Sequence, residues 1–210
     1  AFADQGDHVD VGGGVAGDAT TATLMANENF SHLKKLDNPK DYDDAKRGLI
    51  ARPHGKITNS EGVVLIDFDA FMFVEGKAPG TVNPSLWRHA LLNAQIGLFK
   101  VSEGIYQLRG FDIANMTLIE GKTGWIVIDA LTCRESAEAA IRFARMHLGY
   151  KPVSAVIFTH SHIDHFGGAL GVISPGEVSR RKIQVIAPEG FMEEAVSENI
   201  LVGTAMARRA

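Results

Sequence analysis

Three histidines and one aspartate fall within six positions of this 210-residue chain: His160, His162, Asp164 and His165, in the run THSHIDHFGG over residues 159–168. Their side chains offer the imidazole nitrogen and carboxylate oxygen that zinc accepts at roughly 2.0–2.2 Å. The segment directly follows VSAVIF, residues 153–158, a continuous apolar run of strand length. The carboxyl end of a buried strand is where open sheets commonly place their ligands. In extended backbone alternate side chains share a face, so His160, His162 and Asp164 can begin together. A turn into helix then brings His165 beside Asp164, and the bend presents two pairs of donors to two neighbouring cations. Gly167 and Gly168 allow a tight turn and close backbone approach. One loop histidine alone is usually a surface or hydrogen-bonded residue. Four ionisable groups at the rim of a core are costly to desolvate without a partner, and a metal is the economical account of them.

The elements that must position this segment are read from periodicity and turn chemistry. Residues 1–23 are rich in Gly, Ala and Asp and read as an arm; a short helix is expected over Glu28–Leu36, ended by Asn38-Pro39. Val63–Val74 is expected as a strand with Asp67 and Asp69 on one polar face, and Asn83–Leu98 as a helix with Pro84 in its first turn. Gly104–Gly110, Met116–Glu120 and Trp125–Asp129 read as consecutive antiparallel strands. Arg134–Leu148 carries Ala137, Ala140, Ile141, Ala144 and Leu148 on one helical stripe, and Gly149 stops it. Val153–Phe158 reads as an interior strand covered on both faces, followed by a helix over Gly167–Val172, a strand over Ile183–Ala187 and a helix over Phe191–Ile200. Hairpins first, then alternating helix and strand, predict a layered α/β or α+β fold.

The pattern H-x-H-x-D-H resembles the metal-binding motif of metallo-β-lactamase-fold hydrolases. That resemblance implies an α+β fold, the αββα sandwich, with only its first half in this chain. It also implies two zinc ions per complete site. His160 and His162 would serve one ion and Asp164 and His165 the other, with Asp164 the candidate catalytic carboxylate. Asp129, ending WIVID, matches the acidic position that supports the site from behind the ligands. The flanks are more particular. NPSLWR, GIYQLRGFDIANMTLIEG and FTHSHIDHFGGALGV resemble the N-terminal part of alkyl sulfatases, the family that hydrolyses dodecyl sulfate and related esters. The resemblance covers roughly residues 48–209. It divides the chain into an arm with a short helix, 1–47, and the N-terminal part of a catalytic domain, 48–210.

What the resemblance implies is hydrolysis of alkyl sulfate esters to alcohol and sulfate by a water or hydroxide activated at a dinuclear zinc site. A homodimer, and a periplasmic or secreted location in bacteria, come with it. The alternatives are another hydrolase of this fold acting on a thioester, lactone or phosphodiester, or a non-catalytic zinc-containing interaction module.

The family's further ligands, two glutamates and a histidine, lie downstream of the motif, yet no histidine follows His165. Glu177, Glu189, Glu193, Glu194 and Glu198 remain, and the last three read as the solvated face of a helix. Each donor pair is therefore one short of the usual three ligands. The expectation is a fragment or one piece of a larger assembly, with apolar sheet surface left uncovered.

Composition narrows the partners. A net charge of -4 and a pI near 6.1 give no basic footprint for nucleic acid. No apolar run approaches the length of a membrane span, and the N-terminus has no basic patch before an apolar core, so neither span nor signal peptide is expected. The single cysteine, Cys133, fixes no redox compartment and reads as a small packed residue. Trp87, Tyr106, Phe111 and Trp125 read as core rather than as the lining of a lipophilic channel.

Overall fold

The β-branched and aromatic runs of the middle of the chain pair into one sheet, and the alanine-rich run after them packs across it. This is seen in a computed structural model that describes residues 17–33 and 38–209. The elements in order are α1 (Thr21–Leu33), α2 (Pro39–Lys46), β1 (Leu49–Ala51), β2 (Lys56–Thr58), β3 (Val64–Asp67), α3 (Pro84–Asn93), β4 (Gly97–Ser102), β5 (Ile105–Arg109), β6 (Met116–Glu120) and β7 (Trp125–Ile128). After them come α4 (Arg134–Leu148), β8 (Val153–Ile157), α5 (Ile163–Phe166), α6 (Ala169–Val172), α7 (Pro175–Arg181), β9 (Gln184–Ile186) and α8 (Phe191–Val196). A π-helical turn over Ser197–Leu201 leads into α9 (Gly203–Arg209).

Contacts gather these residues into two compact units. The smaller joins α1 to residues 76–89, where Asn27 donates to the Gly80 carbonyl at 2.8 Å and Trp87 Nε1 donates to the Gly76 carbonyl at 3.1 Å. The larger comprises residues 38–75 and 90–210 and holds the sheet.

The sheet has seven strands in the order β1-β4-β5-β6-β7-β8-β9, antiparallel as far as β7 and parallel from β7 through β9. Register places Leu98, Leu108, Met116, Leu118, Val127 and Val156 on one face, all fully buried. Helix α4 supplies the other wall of this core through Ala137, Ala140, Ile141 and Ala144, and Leu148, the fifth residue of the expected stripe, packs against it half-buried. Gly149 ends the helix at φ 82°, a conformation cheap only for glycine. The opposite face of the sheet carries Ile119, Ile126, Ile128, Ala155 and Ile157, all half-buried. The strand β8 is thus interior to the sheet, as expected, with Val153 and Val156 buried and Ala155 and Ile157 half-buried.

Three expectations need correction. The strand expected over 63–74 stops at Asp67. Asp67 Oδ1 accepts from the Asp69 amide at 3.1 Å, an aspartate turn that competes with the ladder, and Asp69 Oδ2 accepts from the Gly55 amide at 2.9 Å. Residues 68–73 therefore turn and leave Phe71 and Met72 exposed. The helix expected to Leu98 ends at Asn93, because Gly97, at φ 139°, enters β4 with its Cα against the Ala51 carbonyl; a Cβ there would lie 2.2 Å from that oxygen. The expected helix Glu28–Leu36 begins earlier, at Thr21, and residues 34–36 lie outside those described.

Trp125 is 1% exposed, meets Tyr106 edge-on at 5.8 Å between ring centroids, and has no hydrogen-bond partner for its indole N–H. Replacing it by Phe removes a buried donor that is already unpaired, so the loss of packing is largely offset. Urea unfolding should show Trp125→Phe within about 1 kcal/mol of the parent and Trp125→Ala lower by about 3–5 kcal/mol.

Candidate metal centre

The site begins where β7 and β8 end side by side. Both strands run parallel, with Ile128 opposite Ile157, so Asp129 and Thr159 emerge at the same sheet end. Asp129 is 7% exposed and sits at φ 59°; Leu131, fully buried, sits at φ 64°. Left-handed backbone at two non-glycine residues costs of order 1 kcal/mol or more each and persists only where surrounding contacts impose it. Those contacts are explicit. The Ala130 amide donates to the His165 carbonyl at 2.7 Å, and the Gly168 amide to the Leu131 carbonyl at 2.8 Å. Gly168 has ordinary φ and serves close approach rather than turning: a Cβ there would lie 2.1 Å from the Ala130 carbonyl oxygen.

The histidine segment bends at 159–161, and the first helical residue after it is Ile163. Asp164 therefore lies inside a helical turn with His165, not on one extended face with His160 and His162 as expected, because the chain has already turned. The outcome is nevertheless two pairs. His160 Nε2 lies 3.1 Å from His162 Nδ1, and His165 Nε2 lies 3.3 Å from Asp164 Oδ2. The His160 and His165 rings lie 4.0 Å apart between centroids, so the pairs are adjacent.

Hydrogen bonds to Asp129 fix which nitrogens are free. Asp129 Oδ2 accepts from His165 Nδ1 at 2.7 Å, and Asp129 also accepts from the Thr159 amide at 2.8 Å and the Thr159 hydroxyl at 2.8 Å and 3.0 Å. With the Thr159 proton committed there, its oxygen accepts from His160 Nδ1 at 2.9 Å. Both rings then carry their proton on Nδ1 and leave the Nε2 lone pair for a cation.

This donor set fits zinc in pairs: two ligands at about 2.0–2.1 Å in tetrahedral array lie about 3.3 Å apart, close to both observed separations. Among the described residues, no group of three or more His, Cys, Asp or Glu side chains is placed to hold an ion. Each pair would need further donors, as the sequence leads one to expect. Of the glutamates considered, Glu177 is engaged in a capping box with Ser174, whose bonds hold its carboxyl below the usual range. Glu198 is not on a solvated face: the π-helical turn places Oε1 3.4 Å from His162 Nε2 with its side chain 19% exposed.

Two residues went unread in the sequence. Thr159 is the hub just described. Asp112 accepts from the Thr132 amide at 3.0 Å, the Thr132 hydroxyl at 2.7 Å and the Ser136 hydroxyl at 2.6 Å, which clamps the loop from Asp129 to α4. Neither has a spacing signal, since the aspartate–hydroxyl pairs they form join positions 20 to 30 apart. Cys133 is half-buried and its thiol donates to Ser136 Oγ at 3.3 Å, a packing role.

Residues 109–206 match the family model described as the metallo-beta-lactamase superfamily. Over 92% of this chain the fold superposes on a stereoselective inverting sec-alkylsulfatase from Pseudomonas with a TM-score of 0.86 and 49% sequence identity. The stretch similar to the metallo-β-lactamase superfamily contains the histidine segment. An (R)-specific secondary-alkylsulfatase from Pseudomonas is 51% identical over 191 residues, 90% of this chain. An alkyl/aryl-sulfatase from Saccharomyces cerevisiae is 44% identical and a linear primary-alkylsulfatase from Pseudomonas 45% identical, over 90% and 91% of it. The chain spans 29% of the length of each of these relatives and 31% of the solved one. The metallo-β-lactamase superfamily is metal-dependent, and the paired imidazole and carboxylate donors of this domain are of the kind such chemistry needs.

Two substitutions separate support from ligation. Asp129→Asn weakens the hold on His165 Nδ1, and calorimetric zinc titration of the full-length protein should show affinity lower by about 10–100-fold. Asp112→Ala strands the Thr132 amide and hydroxyl, and urea unfolding should show stability lower by about 2–4 kcal/mol.

Proposed function

We propose that the protein of which this domain is part hydrolyses alkyl sulfate esters to alcohol and sulfate at a two-zinc centre. The observation that carries the reading is identity of 44–51% with three relatives named alkylsulfatases across nine-tenths of the chain, converging on a segment whose donors pair at the strand end. His160 with His162, and Asp164 with His165, would hold the ions. Bound zinc supplies a water acidified toward neutral pH and positive charge against the sulfate group.

The chain's own residues do the rest. Asp129 holds His165 through Nδ1, and Thr159 does the same for His160, so both rings are oriented with Nε2 outward. Asp164, with a side chain 25% exposed, presents a carboxylate oxygen that a water can reach, and we assign it the orientation of the attacking water. His162 has a side chain 57% exposed and forms the open side of the pair. Homodimeric assembly and a periplasmic or secreted location in bacteria belong to the same proposal and rest on the family resemblance. Among the described residues no helix is long and apolar enough to cross a membrane.

In the full-length protein, His162→Ala should lower sulfate release from dodecyl sulfate by more than the roughly hundredfold that loss of a supporting residue costs, and should lower zinc content by elemental analysis. Turnover equal to the parent would sink the assignment. Release of thiol, acid or phosphate from a thioester, lactone or phosphodiester panel without sulfate release would move the protein to another hydrolase of this fold; zinc without any turnover would make the domain an interaction module.

A further inference from the structure

Glu198 lies in the run Phe191–Ile200 with Glu193 and Glu194, and an unbroken α-helix would set it one turn beyond Glu194 on the same face. Glu193 and Glu194 are exposed, but the side chain of Glu198 is only 19% exposed. The difference comes from the hydrogen-bond ladder. Helix α8 stops at Val196 and the chain widens into the π-helical turn Ser197–Leu201, where the Val202 amide donates five residues back to the Ser197 carbonyl at 3.0 Å. Asn199 Nδ2 donates to the Ala195 carbonyl at 2.8 Å and pins the widened turn. Single π-turns of this kind recur at functional sites.

Aromatic packing fixes where the turn lies. Phe191, the first residue of α8, stacks on Phe158 at 5.6 Å between ring centroids and meets Phe166 edge-on at 5.1 Å. Phe158 directly follows β8 and Phe166 ends α5, so the elements on either side of the histidine segment are those that hold α8. Glu198 Oε1 thereby comes within 3.4 Å of His162 Nε2, and among the described residues it has no other partner. The two nitrogens of His162 face different neighbours: Nε2 faces Glu198, and Nδ1 faces His160 Nε2 at 3.1 Å. A cation between His160 Nε2 and His162 Nδ1 would lie across the ring from Glu198. The carboxylate is thus placed as the partner of a ligating imidazole and not as a further ligand.

We propose that Glu198 is a positioning residue, which holds the Nε2 edge of His162 and so turns Nδ1 toward a cation shared with His160. The inference rests on the two-zinc reading of the site. Asp129 and Thr159 fix His165 and His160 from the strand ends. Glu198 fixes the third imidazole from the π-helical turn, and that imidazole, 57% exposed, has little packing of its own to orient it.

The test is calorimetric zinc titration of the metal-free full-length protein. In Glu198→Ala the affinity for one of the two ions should fall about 10–100-fold, while the other changes by less than about threefold. Glu198→Gln keeps an oxygen that can accept from Nε2, and its loss at the same ion should stay below about fivefold. Glu194→Ala, exposed on α8, should bind both ions as the parent does. The urea midpoint of the metal-free protein should be the same in parent and Glu198→Ala, because a pair with one largely exposed partner adds little to stability. Equal losses in Glu198→Ala and Glu198→Gln would make the carboxylate a ligand, and weaker binding of both ions with a lower midpoint would make it a structural support. Either result overturns the proposal, as does parent affinity in Glu198→Ala or a parent that takes up no zinc. Sulfate release is read separately: a parent that releases none, with the one-ion loss still seen in Glu198→Ala, ends the sulfatase reading and leaves the role of Glu198 standing.

Discussion

One carboxylate holds the functional end of this domain together. Asp129 is buried just past the end of β7 and accepts from the amide and hydroxyl of Thr159 in the bend after β8 and from the ring of His165 in the helical turn that follows. Buried carboxylates are tolerated only when their oxygens are satisfied, and here the satisfying groups are those whose orientation the site needs. Through Thr159 the same anion sets His160, so both free imidazole nitrogens trace back to a single side chain.

That arrangement requires unusual backbone, and the fold is built to impose it. Asp129 and Leu131 take left-handed conformations because the loop between them is bonded to the segment 165–168 and clamped by Asp112 from the loop after β5. Glycines at 167, 168 and 171 let this segment approach the start of α4 to distances that any Cβ would block, since that atom would lie 2.1–2.2 Å from the backbone oxygens of Thr132, Ala130 and Arg134. Strain, close approach and hydrogen bonding thus work as one unit, which fits the general placement of strained residues at functional sites.

The sheet divides labour between its two faces. The face under α4 is fully apolar and closed, while the other carries a row of half-buried isoleucines on β6, β7 and β8. The strand ends bring the paired histidine and aspartate side chains and an apolar cavity to one side of the same platform. Strands that alternate in direction place carboxyl ends of some beside amino ends of others, so loops distant in sequence meet there.

The candidate site was legible in the sequence because it is local. Four donors in six residues after an apolar strand, the stripe of α4 and the hairpins from 104 to 129 are all set by short-range spacing, and the flanking runs carry the family resemblance. Element ends were not legible where side chains compete with the ladder: Asp67 and Asp69 turned a twelve-residue apolar run after four strand residues. Thr159, Asp112 and the approach of Glu198 to His162 were decided only by tertiary structure. Their partners lie far along the chain, and a hydrogen bond made across a sheet or between loops leaves no period in the sequence. Which donor types gather here was written in their order; which ring nitrogens stay open was decided by what packs behind them.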